Sequence, residues 1–232
     1  MSLPAAVIFD NDGLALDTEI VWSRGEVVLF AEFGRVFTHE HKLELVGSAG
    51  AVAAVKIARM LGEPPESGPQ LMARLHVLVL EDLARGCELM PGARELLDAL
   101  ASRRVPVALC SNSPRAIVDA ALRGAGIEGA FAATIAGDED RPSKPAPDPY
   151  LAAAAALGVA PASCVALEDS PTGAASARAA GMRVLGVPSV PGVVLDDLCD
   201  EVHASLAEPA LWRALGLDRA QAAAGSDVSE PG

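Results

Sequence analysis

Three short apolar runs, separated by stretches of helical character, constrain the fold more than any other feature of this sequence. The first run ends at Phe9, the second covers Val107–Cys110, and the third covers Cys164–Leu167. Short apolar runs that alternate with helical segments are typical of parallel strands in an α/β protein. The sequence therefore predicts a doubly wound, Rossmann-like parallel sheet.

Polar side chains follow each of these runs along the chain: Asp10 and Asp12, then Ser111 and Asn112, and finally Glu168 and Asp169. A further candidate, Lys144, stands in a proline-rich loop. The carboxyl ends of parallel strands lie at one edge of the sheet, where ligands bind in open α/β folds. One site at that edge can therefore hold all of these groups.

The residue types at this edge predict phosphoryl-transfer chemistry. Several carboxylates in one pocket repel each other unless a hard cation lies between them, and oxygen ligands favour Mg²⁺ over zinc. Asp10, Asp12 and Asp169 are the candidate ligands. Asp10 can attack phosphorus and form an aspartyl-phosphate, and Asp12 can act as general acid and base. Lys144 and Ser111 can stabilise the transferring group.

These residues lie in four ordered motifs that resemble those of the haloacid dehalogenase superfamily, within its beta-phosphoglucomutase-like and phosphosugar phosphatase branch. The motifs are Phe9–Gly13 with Asp17–Glu19, Ser111-Asn112, Lys144-Pro145 and Glu168–Gly173. The resemblance extends from the N-terminus to about Val187. It implies a phosphatase that acts on a small phosphorylated metabolite, a sugar or sugar-acid phosphate, with Mg²⁺ as cofactor.

The resemblance also implies a role for each matching residue. Asp10 is then the nucleophile and a metal ligand, while Asp12 is the acid and base and binds the metal through its backbone carbonyl. Asp169 is a further ligand, and Glu168 belongs to the metal site by holding a metal-bound water. The phosphoryl group is bound by Ser111, Asn112 and Lys144. An aspartate at position 12 favours a phosphate ester over the carbon–halogen or phosphonate substrates of related enzymes.

The long segment between Asp12 and Ser111 resembles the helical cap of the superfamily's first cap class. We expect a core from residues 1–16 and 88–217, a helical cap from residues 17–87, and a flexible tail over residues 218–232. Two apolar stripes are predicted to be the buried faces of cap helices: Ile20, Val27, Val28, Phe30 and Ala31, and Val52, Val55, Ile57, Ala58 and Leu61. The cap positions expected to meet the substrate are Trp22, Arg24 and Gly47.

Helix-start signals accompany two of the motifs. Ser113-Pro114 and Ser170-Pro171 each place a capping residue before a proline at the first helical position. The amides of the helix that follows Ser113 are expected to point towards the bound phosphate.

Two alternatives remain open at this stage. A phosphosugar mutase has a similar cap, but Trp22 stands where a mutase histidine is expected, and Gly50 stands where its arginine is expected. A non-catalytic phosphate-binding module would have lost a catalytic group, and none is missing here. Phosphate release would identify a phosphatase, and isomerisation without release would identify a mutase.

Composition limits the partners and the location. The chain has 232 residues and a net charge of −13, and only 3% of its residues are aromatic, which argues against nucleic-acid or acidic-membrane partners. No apolar run reaches the ~18 residues of a membrane span. The four cysteines lack metal-ligand spacing and are predicted to be reduced thiols of a cytoplasmic protein. We also expect the protein to be a monomer. His76 and His203 are expected at the surface or its boundary.

Overall fold

Six parallel strands form one sheet in the computed structural model, which describes residues 2–218. The strands are β1 (Ala6–Asp10), β2 (Val107–Cys110), β3 (Ala133–Ile135), β4 (Cys164–Glu168), β5 (Arg183–Gly186) and β6 (Glu201–Val202). Their order across the sheet is β3-β2-β1-β4-β5-β6. The predicted doubly wound parallel sheet is confirmed. The tail predicted over residues 218–232 lies, from residue 219 onward, outside the described residues.

Helices surround this sheet and form the insert after β1. Four follow β1 directly: α1 (Thr18–Glu32), α2 (His39–Leu45), α3 (Gly50–Leu61) and α4 (Gly68–Leu83). The other five are α5 (Ala93–Ser102), α6 (Arg115–Gly124), α7 (Asp148–Ala156), α8 (Pro171–Ala179) and α9 (Pro209–Ala214). None of the helices within residues 2–218 is long and apolar enough to cross a lipid bilayer.

The alternation of side chains along each strand builds two cores. In β1, Val7 and Phe9 belong to the larger core, whereas Ala6 and Ile8 belong to the smaller core. The smaller core contains alanines of α7 and α8, which allow these helices to approach the sheet closely. Because both faces of β1, β2 and β4 are covered, these strands are apolar up to the acidic residue that ends β1 and β4.

The insert is joined to the rest of the chain by two connections that lie side by side. The amide of Asp17 donates to the carbonyl of Glu88 (2.9 Å), and the amide of Met90 donates to the carbonyl of Ala15 (3.1 Å). Within the insert, α4 packs against both α1 and α3. The division of the chain into a core and a cap at residues 17 and 87 stays a prediction.

Of the five residues in the predicted stripe of α1, Phe30 is buried and the other four are exposed. Val27 is 53% exposed, and Ile20, Val28 and Ala31 are exposed as well. The residues that α1 buries are Thr18, Val21, Gly25, Glu26, Leu29 and Phe30. This face includes Thr18, which donates to Asp12, and Glu26, which pairs with Lys42, so hydrophobicity alone does not identify it. In α3, Ile57, Ala58 and Leu61 are buried as expected, but Val52 and Val55 are exposed.

Of the two predicted helix caps beside the motifs, one is correct. The Ser170 hydroxyl accepts a hydrogen bond from the amide of Gly173 at the start of α8 (3.1 Å). Ser113 does not cap α6, because this helix begins at Arg115, whose amide donates to Asp138 Oδ1 (2.8 Å). That first amide is therefore already bound, and the expectation that the amides of this helix point towards a bound phosphate stays a prediction.

Candidate active site

The carboxyl ends of three neighbouring strands place the predicted site residues together. Asp10 ends β1 and pairs with Cys110 in the register of β2, so it lies beside Ser111. On the other side, β4 ends at Glu168, and Asp169 follows directly. The loop that carries Lys144 also reaches this edge, where the Lys144 ammonium contacts two of these carboxylates.

Lys144 is the positive centre of this edge. Its Nζ lies 2.6 Å from Asp10 Oδ1 and 2.6 Å from Glu168 Oε1, and it also donates to the carbonyl of Cys110 (2.9 Å). Burial alone lowers the pKa of Lys144, but the charges of Asp10 and Glu168 outweigh burial and raise it well above the usual value. The lysine is therefore protonated, and its ammonium is held against the candidate nucleophile.

Glu168 is held by hydrogen bonds to both of its oxygens. Besides Lys144, the Tyr150 hydroxyl donates to Oε1 (2.6 Å), and the Ser170 hydroxyl lies 3.3 Å from Oε2. The Lys144 ammonium also lies 4.9 Å from the centre of the Tyr150 ring. These contacts give Glu168 a clear part in positioning Lys144. Its expected part in holding a metal-bound water stays a prediction.

Three carboxylates converge closely enough to hold a metal ion. One oxygen from each of Asp10, Glu168 and Asp169 lies within 4.8 Å of the others. Burial raises the pKa of Asp10 and of Asp169 well above the usual value, although Lys144 lowers that of Asp10 and Ser189 lowers that of Asp169. Three buried carboxylates against one ammonium, all offering oxygen ligands, fit a hard divalent cation such as Mg²⁺.

Two further features fix Asp169 in this cluster. The Ser189 hydroxyl donates to Asp169 Oδ2 (2.5 Å) from the loop after β5. Gly13 has a φ of +82°, and a Cβ atom at this position would lie 2.4 Å from Asp169 Oδ2. Glycine at position 13 therefore allows the loop after β1 to approach Asp169 closely.

Four hydrogen-bond donors surround the carboxylate of Asp12. The Thr18 hydroxyl (2.8 Å) and the Trp22 indole (3.2 Å) donate to Oδ1, and both come from α1 of the cap. The hydroxyls of Ser111 and Ser113 donate to Oδ2 from the core, each at 2.8 Å. Asp12 is thus held between cap and core. Ser111 contacts the candidate acid and base here, and its expected contact with a phosphoryl group stays a prediction.

Asn112 ties the cap to the loop of Lys144. Its amide donates to the carbonyls of Gly47 (3.1 Å) and Lys144 (3.3 Å), and its Oδ1 accepts from the Lys144 amide (3.0 Å). Gly47 has a φ of +68°, and a Cβ atom there would lie 2.8 Å from Ser170 Oγ. The cap loop therefore lies directly on the core, and a larger residue at position 47 would separate them.

A cavity of about 90 Å³ lies between the cap and this edge of the core. The core contributes candidate site residues to its lining, including Asp10, Asp12, Asn112, Lys144 and Asp169. The cap contributes both apolar and polar residues to the lining. The apolar ones include Leu45, Ala53, Ile57, Met72 and Leu75, and the polar ones include Glu19, Glu26, Lys42 and His76. The cavity is smaller than the ~300–1,000 Å³ of pockets for drug-sized ligands, which favours a small substrate.

The three predicted cap residues have different positions. Trp22 and Gly47 line the cavity, whereas Arg24 does not. The Arg24 side chain is 62% exposed, and its guanidinium pairs with Asp82 (3.2 Å) on the cap surface. Arg24 is therefore not brought to the site, because it lies on the part of α1 that faces solvent.

Of the two histidines expected at the surface or its boundary, His76 is half-buried as expected, whereas the expectation for His203 was wrong. His203 is buried, and its ring nitrogens lie 3.6 Å from carboxylate oxygens of Glu201 and Glu208. His76 lines the cavity with its ring edge-on to Trp22, 6.0 Å between ring centres. Burial lowers the pKa of His76, so this side chain is neutral near pH 7.

Sequence reasoning missed several residues of the site. Thr18 and Ser113 hold Asp12, Ser189 holds Asp169, and Tyr150 holds Glu168. Ser113 had a detectable signal, because a second hydroxyl two residues after Ser111 can face the same way at the end of a strand. The cap ion pairs of Lys42 had none, because their partners lie on another helix.

The comparisons with known proteins match most of this chain. Residues 4–181 match the family model described as haloacid dehalogenase-like hydrolase. The chain is 36% identical to CbbY from Rhodobacter capsulatus over 195 residues, covering 79% of this chain and 85% of CbbY. It is 32% identical to hexitol phosphatase B from Escherichia coli (strain K12) over 187 residues, covering 79% and 83% of the two chains.

A solved structure matches the whole architecture. This is a crystal structure of a variant of CbbY from Rhodobacter sphaeroides in complex with xylulose-(1,5)bisphosphate. It superposes with a TM-score of 0.77 at 26% sequence identity, and the match covers 89% of this chain and 96% of that chain.

Proposed function

Since this chain belongs to the haloacid dehalogenase-like hydrolases, we propose that it is a phosphatase that hydrolyses a small sugar phosphate monoester. The observation that carries the proposal is the meeting of Asp10, Lys144 and Asp169 at one end of a cavity, with Asp12 beside them. The name of one relative, hexitol phosphatase B, and the xylulose-(1,5)bisphosphate bound by the CbbY variant from Rhodobacter sphaeroides agree with a phosphorylated sugar or sugar alcohol as substrate.

The reaction has two half-reactions at phosphorus. Lys144 holds Oδ1 of Asp10, which leaves the other oxygen to attack phosphorus and form an aspartyl-phosphate. The ester P–O bond breaks, and Asp12 gives its proton to the leaving oxygen. Asp12 then removes a proton from water, which attacks the same phosphorus, and this step releases phosphate and restores the Asp10 carboxylate.

The phosphoryl oxygens need donors and positive charge as this reaction proceeds. The Lys144 ammonium and the Ser111 hydroxyl supply them, since rotation of Ser111 away from Asp12 directs its proton to a phosphoryl oxygen. Asn112 supports this end by holding the Lys144 loop. Carboxylate oxygens of Asp10, Asp169 and Glu168 and the Asp12 carbonyl would hold Mg²⁺, which offsets negative charge on the transferring group.

The mutase alternative is less well supported by the cap. Trp22, at the position of the expected histidine, donates to Asp12, and Gly50, at the position of the expected arginine, lines the cavity without a side chain. The sugar-acid substrate also loses its main support, because Arg24 points away from the site. A monomeric state and a cytoplasmic location stay predictions from the sequence.

Phosphate release from a panel of sugar, sugar-alcohol, glycolate and nucleotide monophosphates tests this proposal. Each ester is assayed with Mg²⁺ and with chelator, for the wild type and for Asp10→Asn. We expect chelator-sensitive release from a sugar or sugar-alcohol phosphate, and a loss of at least ~10³-fold in Asp10→Asn because the nucleophile is absent. Asp98→Asn, an exposed aspartate of α5, is the matched control and keeps full activity.

Three results would contradict parts of the proposal. Release from none of the esters would remove the phosphatase, and isomerisation without release would favour the mutase. Full activity in Asp10→Asn would reject this residue as nucleophile.

A further inference from the structure

A buried ion cluster lies on the cap side of the cavity and adjoins the core site, since a Cβ atom at Gly13 would lie 2.9 Å from Glu19 Cγ and 2.4 Å from Asp169 Oδ2. Lys42 of α2 is 8% exposed, and Glu26 of α1 is 4% exposed. The Lys42 ammonium contacts the carboxylate of Glu19 and lies 3.3 Å from Glu26 Oε2. All three side chains line the cavity. We call Glu19, Lys42 and Glu26 the cap cluster.

The cap cluster leaves no cation available to a ligand. Two carboxylates share one ammonium, so the cluster carries a net negative charge when both are ionised. Burial raises the pKa of Glu26 to about 6, although Lys42 lowers it, and protonation of Glu26 would only bring the cluster to neutrality. In neither state does the cap cluster present a net positive charge to the cavity.

The remaining lining residues do not supply positive charge on the cap side. Within residues 2–218, the lysines and arginines that line the cavity are Lys42 and Lys144, and Lys144 is held at the core by Asp10 and Glu168. His76 is neutral because burial lowers its pKa. Lys56 approaches the cap loop from outside the lining, where its ammonium donates to the Glu44 carbonyl (2.6 Å) and the Ser48 hydroxyl (2.9 Å).

We infer that the cap cluster restricts this enzyme to monophosphate esters whose leaving group is an uncharged polyhydroxyl compound. This inference rests on the proposed function and names the substrate class of the same site. Hydroxyl groups of the substrate donate to the carboxylates of Glu19 and Glu26, which accept hydrogen bonds strongly because they are charged and buried. A second phosphate or a carboxylate would meet the negative charge of these carboxylates, and little solvent screens Glu26 because it is buried.

The restriction contrasts with the bisphosphate bound by the structurally similar CbbY variant. Gly50 lies at the first position of α3 and lines the cavity, and a Cβ atom at this position would have no heavy atom within 4 Å. A side chain can therefore be added at position 50 without a clash at its first atom. This position allows a cation to be introduced on the cap side.

Two matched pairs of substrates test the inference at pH 8 with Mg²⁺. Sorbitol 6-phosphate and gluconate 6-phosphate differ by one carboxylate, and glucose 6-phosphate and glucose 1,6-bisphosphate differ by one phosphate. We expect kcat/KM for the uncharged member to be at least about tenfold higher in each pair, because like charges brought together in a closed site repel strongly.

Variants test the cause of that preference. Gly50→Arg should reduce the preference by about tenfold, whereas the neutral Gly50→Gln should leave it unchanged, because only arginine adds a charge. Glu26→Gln should reduce the preference as well. Glu32→Gln should not, because Glu32 lies at the end of the same helix as Glu26 but forms an exposed pair with Arg74 of α4. If Glu26→Gln does not fold, the Gly50 variants and the wild-type ratios still decide the question.

The outcomes separate this inference from the proposed function. Release of phosphate from none of the four esters would overturn the proposed function and the inference with it. Equal kcat/KM within both pairs, or a preference for the charged member, would overturn the inference and leave the phosphatase in place. A preference that Gly50→Arg and Glu26→Gln do not alter would assign the selection to other residues.

Discussion

The charge of Glu26 should lower the stability of the protein at neutral pH, and Glu26→Gln should remove this effect. The pKa of Glu26 rises from 4.5 to about 6, mainly because burial penalises its charged form. The folded state thus binds this proton more tightly than the unfolded state does. The resulting stabilisation is complete below pH ~4.5 and is lost as the pH rises through ~6. Since one pKa unit corresponds to about 1.4 kcal/mol, ionisation of Glu26 costs about 2 kcal/mol in total.

Most of the free-energy cost of ionising Glu26 appears between pH 5 and pH 7.5, where unfolding is easy to measure. Between pH 5 and pH 7.5 the free energy of unfolding of the wild type should fall by about 1 kcal/mol relative to that of Glu26→Gln, which cannot titrate. Urea unfolding followed by circular dichroism, with chelator present at both pH values, gives the two free energies. The difference between wild type and variant isolates Glu26 from the other carboxylates.

Glu32→Gln is the control for this measurement. The pKa of Glu32 is lowered by its hydrogen bond to Arg74, so its contribution changes only at more acidic pH, where the stabilisation is lost. The difference between wild type and Glu32→Gln should therefore stay flat from pH 5 to pH 7.5. The free energy of unfolding of the wild type minus that of Glu26→Gln should fall from pH 5 to pH 7.5. If it stays constant or rises, Lys42 compensates fully for the cost of burying the Glu26 carboxylate, and the argument is refuted.

Two further predictions concern contacts between the cap and the core. Trp22→Phe removes the indole donor to Asp12 but keeps an aromatic ring beside His76, so kcat should fall about fivefold with little change in KM, since one hydrogen bond contributes ~1 kcal/mol. Steady-state kinetics would contradict the role of Trp22 if kcat were unchanged. Gly47→Ala should lower kcat/KM by at least about tenfold because its Cβ would press on Ser170. Gly34→Ala has a similar positive φ but an open surrounding, and equal losses in both variants would assign the effect to backbone strain.

The sheet and the core end of the site could be predicted because both depend on local patterns. A buried parallel strand is apolar along its whole length, and the polar residue after Phe9, Cys110 or Leu167 marks its carboxyl end. Strand ends of this kind meet at one edge whatever the exact order of the strands. The convergence of Asp10 and Asp169 therefore required no knowledge of the loops between them.

The cap could not be predicted in the same way. Its helix α1 buries Gly25 and Glu26 and exposes Val27 and Val28, so the apolar residues of the sequence indicate the wrong face. Glu26 can be buried only because Lys42 reaches it from α2, and this pairing depends on how the two helices pack. The sequence around Lys42, with two histidines and a glutamate before it, is typical of an exposed helix start.

The core site around Lys144 and the cap cluster around Lys42 both contain more carboxylates than ammonium groups. They differ in which ligand groups can compensate this negative charge. At the core, Asp10, Glu168 and Asp169 surround Lys144 with oxygen atoms that converge, which suits a divalent cation and, with it, a phosphoryl group. At the cap, two carboxylates hold one ammonium beside apolar side chains. Hydroxyl donors can satisfy those carboxylates without adding charge, whereas a second anion would find no compensating cation. The inferred substrate, with one phosphate and an uncharged polyhydroxyl part, would therefore bind with its phosphate at Asp10 and its hydroxyls at Glu19 and Glu26.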